Sequence, residues 1–121
     1  MGLDMYAGKT NRDIPPVDFE EMEGDESLHV WRKHPNLHGW MERLYREKGG
    51  KAESFNCVPV QLTLADLEVL ESDIKTGALP ATTGFFFGRS DGSETADDLK
   101  FVEDAREAIA AGLKVYYSSW W

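Results

Sequence analysis

The chain has 121 residues, of which 41% are hydrophobic and 29% are charged, and its formal net charge is -9. These values are typical of one soluble globular domain and exclude disordered and fibrous proteins. The apolar runs are only a few residues long, so no membrane-spanning helix is expected, since one needs about 20 apolar residues.

The charge is distributed unevenly along the chain. Between Asp13 and Glu26 there are seven acidic residues and no lysine or arginine, whereas six basic and two acidic residues between Trp31 and Lys51 give that stretch a net charge of +4. The overall negative charge opposes direct nucleic-acid binding, because phosphate contacts need clustered lysine and arginine. The opening residues lack the pattern of a signal peptide, so we expect a cytoplasmic protein.

The first predicted element is a strand in which Leu3 and Met5 alternate with polar neighbours and face the core. Residues 11–28 combine paired prolines, a glycine and dense acidic residues, which predicts a long acidic loop without helix or strand. We expect the apolar side chains of this loop to attach it to the body of the domain. They are Ile14, Val17, Phe19 and Met22.

A first helix is predicted over about 35–48, because Pro35 suits the first turn and the glycine pair at 49–50 ends the helix. Its apolar residues follow the spacing i, i+3, i+4, i+7, i+8, which is the stripe of a helix lying on a core. They are Leu37, Trp40, Met41, Leu44 and Tyr45.

Residues 54–62 are rich in strand formers, and we predict a buried strand there in which Cys57 is a small apolar filler. Pro59 cannot donate to a ladder, which points to a sheet edge or a bulge. As the single cysteine, Cys57 excludes an intrachain disulfide and a zinc site built on several thiolates. Thr63 and Asp66 then have the spacing of a capping box that begins a second helix, and Gly77 ends it.

The last third predicts a short aromatic strand at residues 85–87 and a third helix capped by Ser93 or Thr95. Residues 113–121 predict a final strand with Tyr117 on the core face and Tyr116 and Trp120 on the other. The order of elements predicts one α+β domain over residues 1–121, with a small sheet of about four strands covered by about three helices. It leaves the strand order open.

Two histidines are candidate ligands for a metal. His34 and His38 are four residues apart, the separation that places two ligands together on a helix. Because Pro35 puts His34 at the cap position and no further ligand has a recognised spacing, we expect no metal or other cofactor. We predict that His34 caps the first helix and that His38 donates to a backbone carbonyl beside the core.

The glycine-rich residues 84–93 lead into a helix start, where backbone amides favour an anion and Arg89 adds a positive charge. Acidic residues crowd the same helix end and repel an anion, so helix-end solvation is the favoured interpretation. The Walker and calcium-loop patterns are both incomplete here. The acidic residues are Asp91, Glu94, Asp97 and Asp98.

A further set of aromatic residues is predicted to be exposed. Tyr6 and Tyr116 point away from the predicted core faces, where they either meet covering helices or lie open. Tryptophan and arginine are common at interfaces, so we predict self-association or a protein partner at this set. Its other members are Trp31, Trp120 and Trp121, with Arg32 and Lys33 beside the first.

Four segments together resemble a group of short bacterial and phage-encoded proteins of unassigned function. They are MGLDMY, WRK followed by LHGWM, GFFFG and VYYSSWW. The resemblance spans the chain and implies a cytoplasmic protein connected with mobile elements or accessory genes. It implies no activity, cofactor or catalytic residue.

The leading hypothesis is a small non-catalytic binding or accessory protein, because no nucleophile, base and orienting group can be recognised. Its surface would use Trp31, Arg32, Lys33 and the terminal tryptophans. One alternative is an enzyme or small-ligand binder that uses His34, His38 and Arg89 around an anionic or metal-bound group. Another is an acidic mimic of nucleic acid that occupies a DNA-binding partner.

Overall fold

The computed structural model describes residues 2–84, 88, 90 and 92–121. Within these residues the chain forms four strands and three helices, which confirms the predicted α+β domain. The strands make one antiparallel sheet in the order β2-β1-β4-β3. The elements are β1 (Asp4–Thr10), β2 (Glu26–Arg32), α1 (Pro35–Glu47), β3 (Val60–Leu62), α2 (Leu64–Thr76), α3 (Thr95–Ala110) and β4 (Lys114–Trp120).

The helices pack on one face of the sheet, α1 and α3 directly and α2 mainly against α3. Leu3 and Met5 are fully buried on this face, as predicted, and so are Val115 and Tyr117 of β4. Burying an apolar side chain of this size contributes about 1.5–3 kcal/mol, so this face holds the domain together. Among the described residues no helix is long and apolar enough to cross a membrane.

The helices follow their local sequence signals closely. Helix α1 begins at Pro35, and its whole predicted apolar stripe is buried. At the start of α2, Thr63 and Asp66 form the predicted capping box, with side-chain to backbone hydrogen bonds of 2.9 and 3.2 Å. Gly77 ends α2 in the left-handed conformation.

Helix α3 is not capped as predicted. Its cap residue is Glu94, which makes no side-chain capping bond, and the helix begins at Thr95. The Thr95 hydroxyl donates backwards to the carbonyl of Gly92 at 3.0 Å. The tight turn before the helix therefore moves the start beyond Ser93, so neither predicted residue is the cap.

The predicted loop over 11–28 ends too late, because β2 begins at Glu26 and pairs with β1 from Asp4 to Lys9. A β-bulge at Leu28 shifts the register between Ala7 and Gly8. This bulge interrupts the alternation of apolar and polar residues from which a strand is predicted. Pairing with β1 nevertheless extends the sheet to Arg32.

The remaining residues 11–25, called the acidic segment below, connect β1 to β2. Val17 forms an isolated bridge with Val60, and Ile14 is buried, so both attach the segment as predicted. Met22 does not, because its side chain is 52% exposed.

The buried strand predicted over residues 54–62 is wrong at Cys57. It is exposed, lies in a bend and has a φ of 61°, so it is neither in a strand nor a buried filler. The strand that follows, β3, begins only at Val60 and lies at the edge of the sheet, the position that Pro59 predicted. The aromatic strand predicted at residues 85–87 lies outside the described residues.

Candidate functional site

The face of the sheet that carries no helix has a covered half and an open half. In the covered half, the ring of Tyr116 lies across Gly8, where a Cβ would be only 2.6 Å from the ring carbon Cζ. The Tyr116 hydroxyl donates to Asp25 of the acidic segment at 2.8 Å. Phe19 adds an edge-to-face contact at 5.3 Å between ring centroids. Tyr116 is therefore buried. Of its two predicted alternatives, it does not lie open, but the element that covers it is the acidic segment and not a helix.

Asp25 fixes the acidic segment in this position. Its carboxylate accepts hydrogen bonds from the Arg12 guanidinium at 2.6 and 3.2 Å and from the Met22 amide at 3.1 Å. Burial acts to raise the pKa of Asp25, but the hydrogen bonds from Arg12, Thr10, Met22 and Tyr116 outweigh it and hold the pKa below its usual range. The carboxylate stays ionised, and the segment is clamped to the sheet.

The open half consists of five side chains, which we call the open face: Asp4, Tyr6, Val30, Arg32 and Trp120. The strand register makes them neighbours, since Tyr6 pairs with Val30 while Asp4 pairs with both Arg32 and Trp120. Residues paired in this way have Cβ atoms about 4.5–5.5 Å apart. Tyr6, Val30 and Trp120 are 37%, 58% and 65% exposed, and Arg32 forms an ion pair with Asp4 at 2.9 Å.

The acidic segment carries exposed carboxylates at Glu20, Glu21 and Glu23, and the last two border the open face beside Tyr6. Between this border and the rings of Tyr6 and Tyr116 lies a cleft of about 340 Å³. Partial burial, then the charge of Asp4 and of further acidic groups including Glu21, raise the pKa of Tyr6. The surroundings of the open face are therefore negatively charged.

The predicted binding residues divide between this face and the interior. Arg32 and Trp120 belong to the open face. Trp31 does not, because it pairs with Met5 on the helix-covered face and is buried, so its predicted exposure is wrong. Lys33 is exposed in the turn before α1 and has a φ of 56°.

His34 is buried in a network that sequence reasoning did not find. Its Nδ1 lies 2.7 Å from the Ser90 hydroxyl, and its Nε2 lies 2.7 Å from the Asp98 carboxylate. Asp98 also accepts from Trp31 Nε1 at 3.0 Å. Ser90 and Asp98 are 56 and 64 residues from His34, so no spacing rule connects them.

Ser90 supplies the side-chain capping bond of α1, although His34 occupies the cap position. Its hydroxyl accepts a hydrogen bond from the Asn36 amide at 3.1 Å, whereas His34 makes no side-chain capping bond. His34 is therefore at the predicted cap position, but its imidazole is turned towards Asp98 and makes no capping bond. Arg89 lies outside the described residues.

In the described part of the chain, the His38 side chain does not take part in the hydrogen-bond network of His34. It is fully buried, and its Nδ1 is joined to the Tyr117 hydroxyl by a hydrogen bond of 2.7 Å, not to a backbone carbonyl as predicted. Burial lowers the pKa of His38 to about 4, so the ring is neutral near pH 7. Across the described ranges, no group of three or more histidine, cysteine or acidic residues is arranged to hold a metal ion.

Comparisons of the chain with protein families, curated proteins and solved structures gave no match. The open face is the site with the clearest chemical character, because it combines large apolar surfaces, a guanidinium and a carboxylate on a rigid sheet. Such a surface can bind another macromolecule by contact alone. Tyr6 could be singled out from strand alternation, but Val30 could not, since β2 itself was not predicted.

Proposed function

We propose that this chain is a small non-catalytic binding protein that docks a partner protein on the open face. The observation that carries the proposal is the side-by-side exposure of Tyr6, Val30 and Trp120 on the sheet face that carries no helix. Contiguous exposed apolar side chains mark interaction surfaces, and aromatic residues with arginine are enriched in them. The sheet presents these side chains in a fixed arrangement, which lowers the entropy cost of binding.

The occupant is a different chain and not a second copy of this one. A two-fold contact uses the same patch on both subunits. It would bring two sets of the exposed carboxylates Glu20, Glu21 and Glu23 into one interface. With a net charge of -9 on each copy, their repulsion opposes such a dimer.

The test compares two matched valine substitutions in capture from lysate of cells that carry the gene. Val30 on the open face and Val69 on α2 are 58% and 55% exposed. We expect the wild type and Val69→Glu to capture a protein that Val30→Glu does not capture. The same protein, once purified, should bind to the wild type and to Val69→Glu but not to Val30→Glu. Equal capture by all three chains would contradict the proposal.

One observation favours a second candidate function, acyl transfer by Ser90. The hydrogen bonds from Ser90 through His34 to Asp98 have the order of a nucleophile, a base and an orienting carboxylate. In such a reaction the Ser90 oxygen would attack the carbonyl carbon of an ester or amide while His34 Nδ1 takes the hydroxyl proton. His34 would then pass this proton to the leaving alcohol or amine as its bond to the acyl carbon breaks, which leaves the acyl group on Ser90. A cavity of about 190 Å³ adjoins these residues.

A fluorophosphonate probe decides between the two functions, because it reacts covalently with activated serines. We expect no labelling, since the Ser90 oxygen already accepts from the Asn36 amide and His34 is buried. Stoichiometric labelling that is lost in Ser90→Ala, but retained in Ser54→Ala, would establish the second function and contradict a non-catalytic role.

A further inference from the structure

We infer that the partner presents a basic segment, in which arginine or lysine side chains occur among apolar ones, to the open face and the adjacent acidic segment. This inference rests on the proposed function and names the chemistry of the partner. It follows from the charges around the apolar surface, the way in which they are held, and the shape of the cleft beside them.

The charges at the border are not neutralised by the chain itself. Asp4 and Asp25 have arginine partners, Arg32 and Arg12. In contrast, within the part of the chain that the structure describes, no lysine, arginine or histidine lies within ion-pair distance of Glu20, Glu21 or Glu23. These three carboxylates are exposed and leave a negative potential beside the apolar surface.

The backbone that carries these carboxylates is also attached to the sheet before any partner binds. The hydrogen bonds that Asp25 accepts from Arg12, Tyr116 and the Met22 amide fix the C-terminal end of the acidic segment against the sheet. A partner therefore meets a segment whose backbone is already attached to the sheet, so binding does not carry the full cost of ordering a free loop.

The cleft between the acidic segment and the sheet suits a long cationic side chain. Its walls include the rings of Tyr6 and Tyr116 and the carboxylates of Glu21 and Glu23. The faces of tyrosine rings attract cations, and the methylene groups of lysine and arginine pack on apolar surface while the charged group stays near water. Met22, half exposed beside them, extends the apolar surface.

The surroundings disfavour the other partner classes. A nucleic acid or an acidic protein surface would be repelled by the same carboxylates. An uncharged apolar segment would bind without using them, and its affinity would not depend on salt. A basic segment should bind faster and more tightly at low salt, since complementary charges steer association and are screened by ions.

The experiment measures the binding of two fluorescent peptides to the purified full chain by anisotropy. One peptide alternates arginine with leucine, and the other has glutamine in place of each arginine. We expect the arginine peptide to bind about tenfold more tightly at low salt, with the difference shrinking at high salt.

Two triple variants then locate the effect, since each removes three exposed carboxylates. The test variant is Glu20→Gln, Glu21→Gln, Glu23→Gln, and the control is Glu68→Gln, Glu103→Gln, Glu107→Gln on α2 and α3. We expect the test variant to lower the affinity for the arginine peptide by about fivefold or more and the control to lower it by less than about twofold. Circular dichroism checks that both variants are folded.

Equal binding of the two peptides, or equal losses in the two triple variants, would overturn the inference. If Val30→Glu then still abolished peptide binding, the open face would stand as the docking surface of a partner with other chemistry. Binding of neither peptide would also overturn the inference, and the capture experiment with Val30→Glu and Val69→Glu would decide the proposed function by itself.

Discussion

Gly8 shows how one missing side chain shapes the surface. The ring of Tyr116 occupies the space that a Cβ at Gly8 would need, and this position lets the tyrosine hydroxyl reach Asp25. The residue is therefore a determinant of where the acidic segment lies.

We predict that Gly8→Ala lowers the free energy of unfolding by about 1–3 kcal/mol, because the new methyl group displaces the ring and its hydrogen bond. Gly24→Ala is the matched control, since nothing lies within 4 Å of its Cβ position. Urea denaturation measures both variants. Equal stability of the two would show that the ring can move aside without loss.

The lowered pKa of His38 makes the free energy of unfolding depend on pH. Burial lowers its pKa from 6.5 to about 4 in the folded chain. Between these values the unfolded chain binds a proton that the folded chain does not, so the folded state loses stability as the pH falls from 6.5 towards 4. The pKa of Asp25 is also lowered, and its contribution is lost at more acidic pH.

The test is to measure unfolding by urea across this pH range for the wild type and for His38→Gln, which has no titrating ring. We expect the variant to be less stable near pH 7, because the buried packing changes, but to show a shallower loss of stability below pH 6.5. Parallel pH profiles would mean that His38 is not the group responsible.

At the scale of elements, the sequence predicts those helices and strands whose signals lie within a single segment of the chain. The apolar stripe of α1 and the capping box at Thr63 lie within one segment, so α1 and the start of α2 are predicted correctly. Strand β2 is different, because its bulge hides the alternation and its existence depends on pairing with β1. The same limit applies to Trp31, which can be placed on the buried face only when that pairing is known.

The start of α1 depends on a residue from a distant segment. The Ser90 hydroxyl accepts a hydrogen bond from the Asn36 amide, which the His34 side chain does not cap. Ser90 is also hydrogen-bonded to His34, and His34 is hydrogen-bonded to Asp98 on α3, so these contacts connect the start of α1 to α3. The N-terminus of α1 is therefore stabilised by tertiary contacts, which no helix signal in the sequence includes.

We predict that Ser90→Ala lowers the free energy of unfolding by about 1 kcal/mol, since the loss of a cap costs about that much. Hydrogen exchange of the Asn36 amide should become faster, while amides in the middle of α1 change little. Ser54→Ala, at an exposed position in the loop after α1, is the control and should leave both quantities unchanged. Unaltered exchange at Asn36 would contradict the capping role.

At the scale of the whole molecule, the sheet has one face for stability and one for recognition. The helices bury most of the first, whereas the acidic segment covers only part of the second. The exposed apolar residues and the uncompensated carboxylates meet at the boundary of that cover.

We predict that the isolated chain is a monomer of 13.7 kDa at low salt, because the acidic borders of two copies repel each other. Sedimentation equilibrium over a range of concentrations measures this. A dimer that dissociates in Val30→Glu but persists in Val69→Glu would contradict it and make a second copy the occupant of the open face.

The bulge at Leu28 bears on how the molecule avoids aggregation. Strand β2 is seven residues long and lies at the edge of the sheet, where its outer amides and carbonyls offer a template for another strand. The extra residue breaks the regular spacing of these groups and increases the local twist. A second chain therefore cannot form regular backbone hydrogen bonds along the whole edge. The protein can thus expose apolar side chains on the open face without aggregating by edge-to-edge pairing of its strands.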